Sequence, residues 1–291
     1  MIAESRIMLG DCRAELDSLR VESVQSCITS PPYWGLRDYG TGDDQLGMES
    51  SPEEYTDNMV EVFRAVRRVL KPSGTLWLNL GDTYCGTGDK GDGKDPKHKE
   101  GRNWDNHKAL NNKIDGLKKK DLVGIPWRVA FALQADGWYL RQDIIWNKPN
   151  AMPEPVKDRC TKSHEHIFLL SKSQNYFYNA DAVADATTDG SRNKRSVWTI
   201  NTQPYKEAHF ATFPTKLIEP CILAGSQTGD TILDPFTGSG TTGLVSIENS
   251  RNFVGVELNP DYKWLAEQRI NTAQPPLIFN SEISTTRTTT L

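Results

Sequence analysis

The sequence predicts an α/β fold with a largely parallel sheet. Short apolar runs alternate along the chain with stretches of helical periodicity. One run, Thr231-Ile232-Leu233-Asp234, leads into a glycine-rich turn that opens a helix. The next, Phe253-Val254-Gly255-Val256-Glu257, ends on an acid. In such sheets ligands bind beyond the carboxyl ends of the strands, which is where the polar motifs of this chain fall.

From the N-terminus, Arg6 to Asp11 reads as a short strand ending at a turn, and Val24 to Thr29 as a second strand stopped by Pro31-Pro32. Ser51-Pro52-Glu53-Glu54 is a capping box with proline at the first helical position. Tyr55, Met59, Val62, Val66 and Leu70 then recur at helical spacing until Lys71-Pro72-Ser73-Gly74 ends the helix. Thr75 to Leu80 is an apolar strand. Residues 84–121 lose all periodicity and are rich in Gly, Lys, Asp and Asn, which predicts a long loop or mobile insertion. Regular structure resumes with a helix over Pro126–Ala135 and strands over Tyr139–Trp146 and His166–Leu170. A helix from Pro214 to Ala224 precedes the Thr231 strand. A helix over Thr241–Glu248 and a last one over Asp261–Asn271, capped by Asn259-Pro260, enclose the Phe253 strand. The chain from Gln274 onward reads as a loosely ordered tail.

At 291 residues the chain suits one large domain with an insertion, or two small ones. No apolar run approaches membrane-spanning length, and Met1 to Arg6 lacks a signal-peptide pattern. Five scattered cysteines, with no C-x-x-C pair, point to a reducing compartment and away from a zinc site or disulfide framework. Cys27 and Cys221 lie in apolar segments and read as core. The net charge of −4 hides an uneven distribution. Residues 85–120 hold ten Lys or Arg against six Asp or Glu, and residues 186–206 hold four against one, with Trp198 and Tyr205 interleaved. Two basic segments therefore sit on an acidic body, as solvated loops or as a footprint for a polyanion.

The turn Asp234-Pro235-Phe236-Thr237-Gly238-Ser239-Gly240-Thr241-Thr242-Gly243 lets backbone approach a ligand at a helix N-terminus. It is not a phosphate-binding P-loop, because no lysine follows the glycines. Glu257, one strand later, can accept both hydroxyls of a ribose. NAD and S-adenosylmethionine both carry that ribose. Only 48 residues follow Gly243, too few for the βαβαβ units of a dinucleotide domain.

Thr29-Ser30-Pro31-Pro32-Tyr33 is the second motif. By itself a Pro-Pro pair after a strand is a rigid turn. Here Ser30 and the fixed proline carbonyls offer acceptors to an exocyclic amino group, and Tyr33 offers a stacking face for an extruded base.

Together these residues resemble the DNA amino-methyltransferases. Ser30-Pro31-Pro32-Tyr33 is similar to their catalytic motif, [D/N/S]-P-P-[Y/F], and Asp234 to Gly240 to their cofactor motif. The order, catalytic motif first, resembles the β-group. His209-Phe210-Ala211-Thr212-Phe213-Pro214-Thr215-Lys216, Gly255-Val256-Glu257 and Gly10-Asp11-Cys12 resemble segments beside the methionine, ribose and adenine moieties. Ile145-Trp146-Asn147-Lys148 and His164-Glu165-His166 fall where the family's later strands lie.

The resemblance implies a seven-stranded, mostly parallel sheet of the S-adenosylmethionine-dependent methyltransferase (Rossmann-like) type, with one antiparallel strand and a basic insertion. It implies one catalytic domain over residues 1–272, with a catalytic half at 1–178 and a cofactor half at 209–272. Residues 179–208 are the candidate target-recognition segment. Ser30, Pro31, Pro32 and Tyr33 are the implied catalytic residues. Asp11, Phe213, Thr215, Lys216, Asp234, Phe236, Gly238, Ser239, Gly240, Thr241 and Glu257 are the implied cofactor contacts. Arg37, Lys118, Lys119, Lys120, Arg192, Lys194 and Arg195 are the candidate DNA contacts. No metal is implied. Double-stranded DNA is the implied partner, with a second copy of the chain and a cognate restriction endonuclease as further candidates. The implied location is the cytoplasm, with the DNA. Serine at the first motif position is commoner among cytosine-N4 enzymes and aspartate among adenine-N6 enzymes, so both targets stay open with cytosine ahead. An NAD-dependent dehydrogenase and a catalytically silent DNA-binding module are the rival classes.

Overall fold

The computed structural model describes residues 3–35, 45–86, 114, 116–203 and 213–273. Arg37, Tyr205, the segment 209–212, residues 87–113 and 115 of the basic insertion, and the tail from 274 lie outside the described residues.

The strands are β1 (Ser5–Leu9), β2 (Val24–Thr29), β3 (Leu70–Leu80), β4 (Tyr139–Asn147), β5 (His164–Ser171), β6 (Asp185–Thr187), β7 (Gly190–Arg192), β8 (Val197–Thr199), β9 (Thr231–Asp234) and β10 (Asn252–Glu257). The helices are α1 (Cys12–Asp17), α2 (Pro52–Val69), α3 (Ile125–Ala135), α4 (Thr215–Gly225), α5 (Thr241–Glu248) and α6 (Pro260–Asn271). One sheet runs in the order β1-β10-β9-β2-β3-β5-β4-β8, and β6 and β7 form a separate hairpin. Only β5 is antiparallel to its neighbours in the large sheet. The expected seven strands become eight among the described residues. The addition is β8, three residues that pair with Ile145–Asn147 at the edge of β4. So short a strand leaves no period to detect.

The sheet alternates its side chains between two cores. Cys27, Leu76, Leu78, Phe168 and Leu170 face one side and pack with Leu16, Met59, Phe63, Val66 and Leu133 from α1, α2 and α3. Ile28, Trp77, Ile167, Leu169 and Ile232 face the other and pack with Leu217, Ile222, Val245, Ala266 and Ile270 from α4, α5 and α6. Strands buried on both faces explain the nearly continuous apolar runs. Cys27 and Cys221 are fully inside, as their settings suggested.

Local signals hold with two adjustments. Ser51 caps α2 by accepting from Glu54 N at 3.1 Å, but the Glu54 carboxylate reaches Ser50 rather than Ser51, bonding its N and Oγ at 2.9 and 2.7 Å. Helix α2 stops at Val69, and Leu70 already pairs with Val24 as the first residue of β3. The register then jumps to Ser26 with Thr75, so Lys71-Pro72-Ser73-Gly74 is an excursion within β3 rather than a helix-to-strand turn. Asn259 caps α6 through Asp261 N at 2.8 Å.

Strands β2 and β9 are spatial neighbours separated by some two hundred residues, and the sheet's connectivity reverses between them. Such a switch point opens a crevice at the carboxyl ends of the strands. Ser30 follows β2 there and Pro235 follows β9, so the sheet delivers both motifs to one place.

Candidate active site

Asp234 joins the two motifs. Its carboxylate is buried and accepts from Thr29 Oγ1 at 2.6 Å, Thr242 Oγ1 at 2.8 Å and Phe236 N at 3.0 Å. Burial pushes its pKa up to about 6 against the pull of those donors. Thr29 is the residue before Ser30, so this bond pins the reactive segment to the glycine turn. Both carboxylate oxygens are thus engaged by protein, and Asp234 ties the glycine turn to the reactive segment from within the core.

The glycine turn then crosses above β9. Gly238 and Gly240 take positive φ, +51° and +78°, which glycine adopts without strain. A Cβ on Gly240 would come within 2.9 Å of the Ala266 Cβ, so the turn also needs glycine to lie against α6. A Cβ on Gly238 would meet nothing nearer than 3.9 Å, so open space borders the turn at this point. Glu257, at the end of β10, anchors the turn by accepting from Gly238 N at 2.8 Å and Asn259 N at 2.9 Å. Each bond uses one carboxylate oxygen, and each oxygen keeps a further lone pair for a ligand hydroxyl. Burial raises the Glu257 pKa. Ser239 and Thr241 point the other way: both hydroxyls accept from Arg269, at 3.0 and 2.9 Å, and both residues are buried. Asp11 caps α1, accepting from Arg13 N at 2.7 Å, and pairs with the Arg13 guanidinium, which lowers its pKa. It follows β1, whose Leu9 lies in register with Glu257, so both acids border the same strand ends. Phe213 and Thr215 are half-buried at the start of α4, and Lys216 is exposed.

In the reactive segment, Pro31 is buried and the Pro32 carbonyl accepts from Tyr55 Oη at 2.9 Å. That carbonyl is therefore shared with the protein and keeps one further lone pair. The Tyr33 ring packs on Gly81, where a Cβ would come within 2.6 Å of it. Its hydroxyl lies 3.2 Å from Ser30 Oγ, 3.2 Å from Asn79 Oδ1 and 2.9 Å from Glu165 Oε2. Burial, and then the Glu165 charge, push the phenol's pKa well above its usual value, so it stays a donor. Glu165 is ion-paired with Lys148, and the two side chains are each 16% exposed. Asp82 adds a cap in trans: its Oδ1 accepts from Gly124 N and Ile125 N at 3.0 Å each, at the start of α3.

The motif pattern reaches neither the Thr242 bond to Asp234 nor the set of Asn79, Glu165 and Lys148 around Tyr33. One signal did exist. Lys148 and Glu165 are opposite charges at the abutting ends of two strands, and Trp146 lies in register with Glu165.

Lys118 and Lys120 form ion pairs with Asp121 and Asp158, and Lys119 is also engaged. Arg192 and Lys194 flank Asp185 at 4.0 and 3.5 Å. Arg195 is exposed beside them. Among the described residues, no group of three or more His, Cys, Asp or Glu could hold a metal ion, and no helix is long and apolar enough to cross a membrane.

Residues 24–268 match the family model described as DNA methylase, the N6_N4_Mtase family. The chain belongs to this family. Within it, the methylase is similar to the Type II methyltransferase M.Cfr9I of Citrobacter freundii, 52% identical over 266 residues that cover 90% of this chain and 86% of that protein. It is also similar to M.SmaI of Serratia marcescens, 51% identical over 268 residues, covering 91% and 90%. Among solved structures, the PvuII DNA methyltransferase (cytosine-N4-specific) superposes with a TM-score of 0.68 at 21% identity, over 98% of this chain and 89% of that one. The Thermus thermophilus protein TTHA0409, a putative DNA modification methylase complexed with S-adenosyl-L-methionine, superposes with a TM-score of 0.61 at 25% identity, over 92% and 95%. The family and the mostly parallel sheet are thus as the motifs implied, and family membership removes the dehydrogenase reading.

Proposed function

We propose that this methylase transfers a methyl group from S-adenosylmethionine to the N4 amino group of a cytosine in double-stranded DNA, as a Type II modification enzyme. The observation that carries the reading is the bond from Thr29 to Asp234, which seats Ser30 to Tyr33 against the glycine turn. Serine at position 30 favours cytosine over adenine within the family pattern.

When bound, S-adenosylmethionine supplies a methyl group already activated by a sulfonium. The protein's task is then to orient and to exclude water. Glu257 holds the ribose hydroxyls, the Gly238–Gly240 backbone and Phe236 line the crevice, and Asp11, Phe213, Thr215 and Lys216 border it. Ser30 and the Pro31 carbonyl accept the amino hydrogens of the extruded base, and Tyr33 stacks on its ring. Arg192, Lys194 and Arg195, with Lys118 to Lys120, meet the phosphates, which position the duplex without reading it.

Incubation with plasmid DNA, digestion to nucleosides and mass spectrometry tests the proposal. N4-methylcytosine is the expected product. N6-methyladenine would keep the family chemistry and overturn the choice of base, and unmodified DNA would leave a silent binding module.

A further inference from the structure

Ser30, Tyr33 and Glu165 form an unbroken hydrogen-bonded chain. Ser30 Oγ donates to Tyr33 Oη at 3.2 Å, and Tyr33 Oη reaches Glu165 Oε2 at 2.9 Å. The other carboxylate oxygen is ion-paired with Lys148 Nζ. Asn79 flanks the chain, its Nδ2 donating to Glu165 Oε2 at 3.3 Å and to the His166 carbonyl at 3.1 Å, which turns its Oδ1 toward the phenol. The phenol has one hydrogen, and the shorter distance and the negative charge direct it to Glu165. Groups from β3, from β5 and from the residue after β2 therefore converge on one hydroxyl. A ring needed only for stacking requires no hydroxyl at all.

We propose that this chain is a proton outlet: Glu165 receives, through Tyr33 and Ser30, the proton that the target amino group loses on methylation. The inference rests on the reading of Ser30 as the residue touching that amino group. In the step, the nitrogen lone pair forms the N–C bond while the C–S bond breaks, its electron pair staying on sulfur. Positive charge builds on the nitrogen, whose N–H bonding pair returns to it as the proton passes to Ser30 Oγ. The Ser30 proton passes to Tyr33 Oη and the Tyr33 proton to Glu165 Oε2. One proton has moved from amine to carboxylate, and Ser30 and Tyr33 end as they began. An alkylated nitrogen of this kind is a strong acid, so the acceptor must be near and aligned rather than strongly basic. Lys148 fixes the carboxylate by pairing with its other oxygen, which leaves Oε2 turned to the phenol. Glu165 does not touch the base and acts only through Tyr33.

The test is single-turnover methyl transfer to duplex DNA, with affinities for S-adenosylmethionine and for the duplex measured alongside. Glu165→Gln keeps an oxygen for the phenol but takes no proton. Tyr33→Phe keeps the ring and cuts the chain without touching the ion pair. Each should slow transfer by roughly a hundredfold, the usual reach of a positioned proton acceptor, with both affinities unchanged. The double variant Glu165→Gln/Lys148→Met leaves no unpaired buried charge and should stay as slow. Full rate in the double variant or in Tyr33→Phe overturns the outlet and leaves Glu165 a structural anchor. The underlying reading fails separately, if the unaltered enzyme forms no N-methylated base or if Ser30→Ala transfers at full rate.

Discussion

Thr29 Oγ1 donates to Asp234 Oδ1 at 2.6 Å across 205 positions of sequence. The bond crosses the reversal point of the sheet, between the end of β2 and the end of β9. A hydrogen bond to a buried charged group contributes ~1.5–3 kcal/mol. Thr29→Val should lower unfolding stability by about that amount at neutral pH, by urea titration. It should also reduce methyl transfer, since Ser30 loses its tether. A loss below about 0.5 kcal/mol, the usual range for an exposed substitution, would mean that the two motifs are held together elsewhere.

Asp234 makes stability depend on pH in an unusual direction. Its pKa rises from an ordinary 3.8 to about 6 on folding. Between those values the folded state keeps a proton that the unfolded chain releases. This group's contribution is therefore largest below about pH 4, falls as the pH rises to about 6, and is constant above. Asp234→Asn should abolish that slope. The amide suits the site: Oδ1 keeps Thr29 and Phe236 N, and Nδ2 can donate to Thr242 Oγ1, whose own proton turns to the Ile28 carbonyl, 3.4 Å away. Denaturant midpoints of both proteins across this window decide the matter, and parallel profiles would place the ionisation elsewhere.

Glu257→Ala should weaken S-adenosylmethionine binding by ~1.5–3 kcal/mol, the worth of charge-assisted hydrogen bonds. The raised Glu257 pKa adds a second expectation. The ionised form is the better acceptor, so cofactor affinity should decline as the pH is lowered from neutral, and the variant should lose that decline. Calorimetric titration at several pH values measures both. Equal affinity in variant and parent would remove Glu257 from the ribose.

How far the sequence could be read depended on whether a signal was local. Ser51, Asn259 and the glycines announce themselves by residue type at a fixed offset, and the α2 face by its period. The ends of β2 and β9 could be matched because each carries a motif. Partner choice across the sheet had no such marker. Nothing in the order of residues says that Thr29 takes Asp234, that Asp82 caps a helix some forty residues later, or that Arg269 claims Ser239 and Thr241. Two of these relations involve groups that a motif offers as ligand contacts: Asp234 and the hydroxyls of Ser239 and Thr241 also serve as internal ties. Strands β6 to β8 escaped because three residues are too few for any alternation to show, and α1 because its six residues make less than two helical turns.

The segment 179–208 should supply part of the electrostatic attraction for DNA. Asp185 neutralises much of Arg192 and Lys194, whereas Arg195 is exposed and makes no ion pair with any described residue. Arg195→Ala should therefore weaken duplex binding more than Arg192→Ala. Each phosphate that a variant no longer neutralises should flatten the dependence of log K on log salt by about 0.9. Fluorescence anisotropy at several salt concentrations reads this directly. An unaltered slope in the Arg192, Lys194 and Arg195 triple alanine variant would take this segment off the backbone.

Gly81 offers a way to disturb Tyr33 without altering any side chain of the reactive segment. A Cβ at this position would lie 2.6 Å from the Tyr33 ring, well inside van der Waals distance, and the ring edge it meets cannot bend away as a flexible chain end would. The tyrosine would have to shift, and its hydroxyl would leave the narrow space between Asn79 and Glu165. Gly81→Ala should therefore depress the single-turnover rate of methyl transfer strongly, since sub-ångström misplacement of a positioning group is costly to catalysis. The crevice of Gly238, Gly240 and Glu257 lies on other strands, so S-adenosylmethionine affinity should be unchanged. Tyr33→Ala should give the same split, because it removes the stacking ring and leaves the cofactor side intact. A joint loss of rate and cofactor affinity in either variant would mean that Tyr33 supports the cofactor crevice itself and is not a platform for the base.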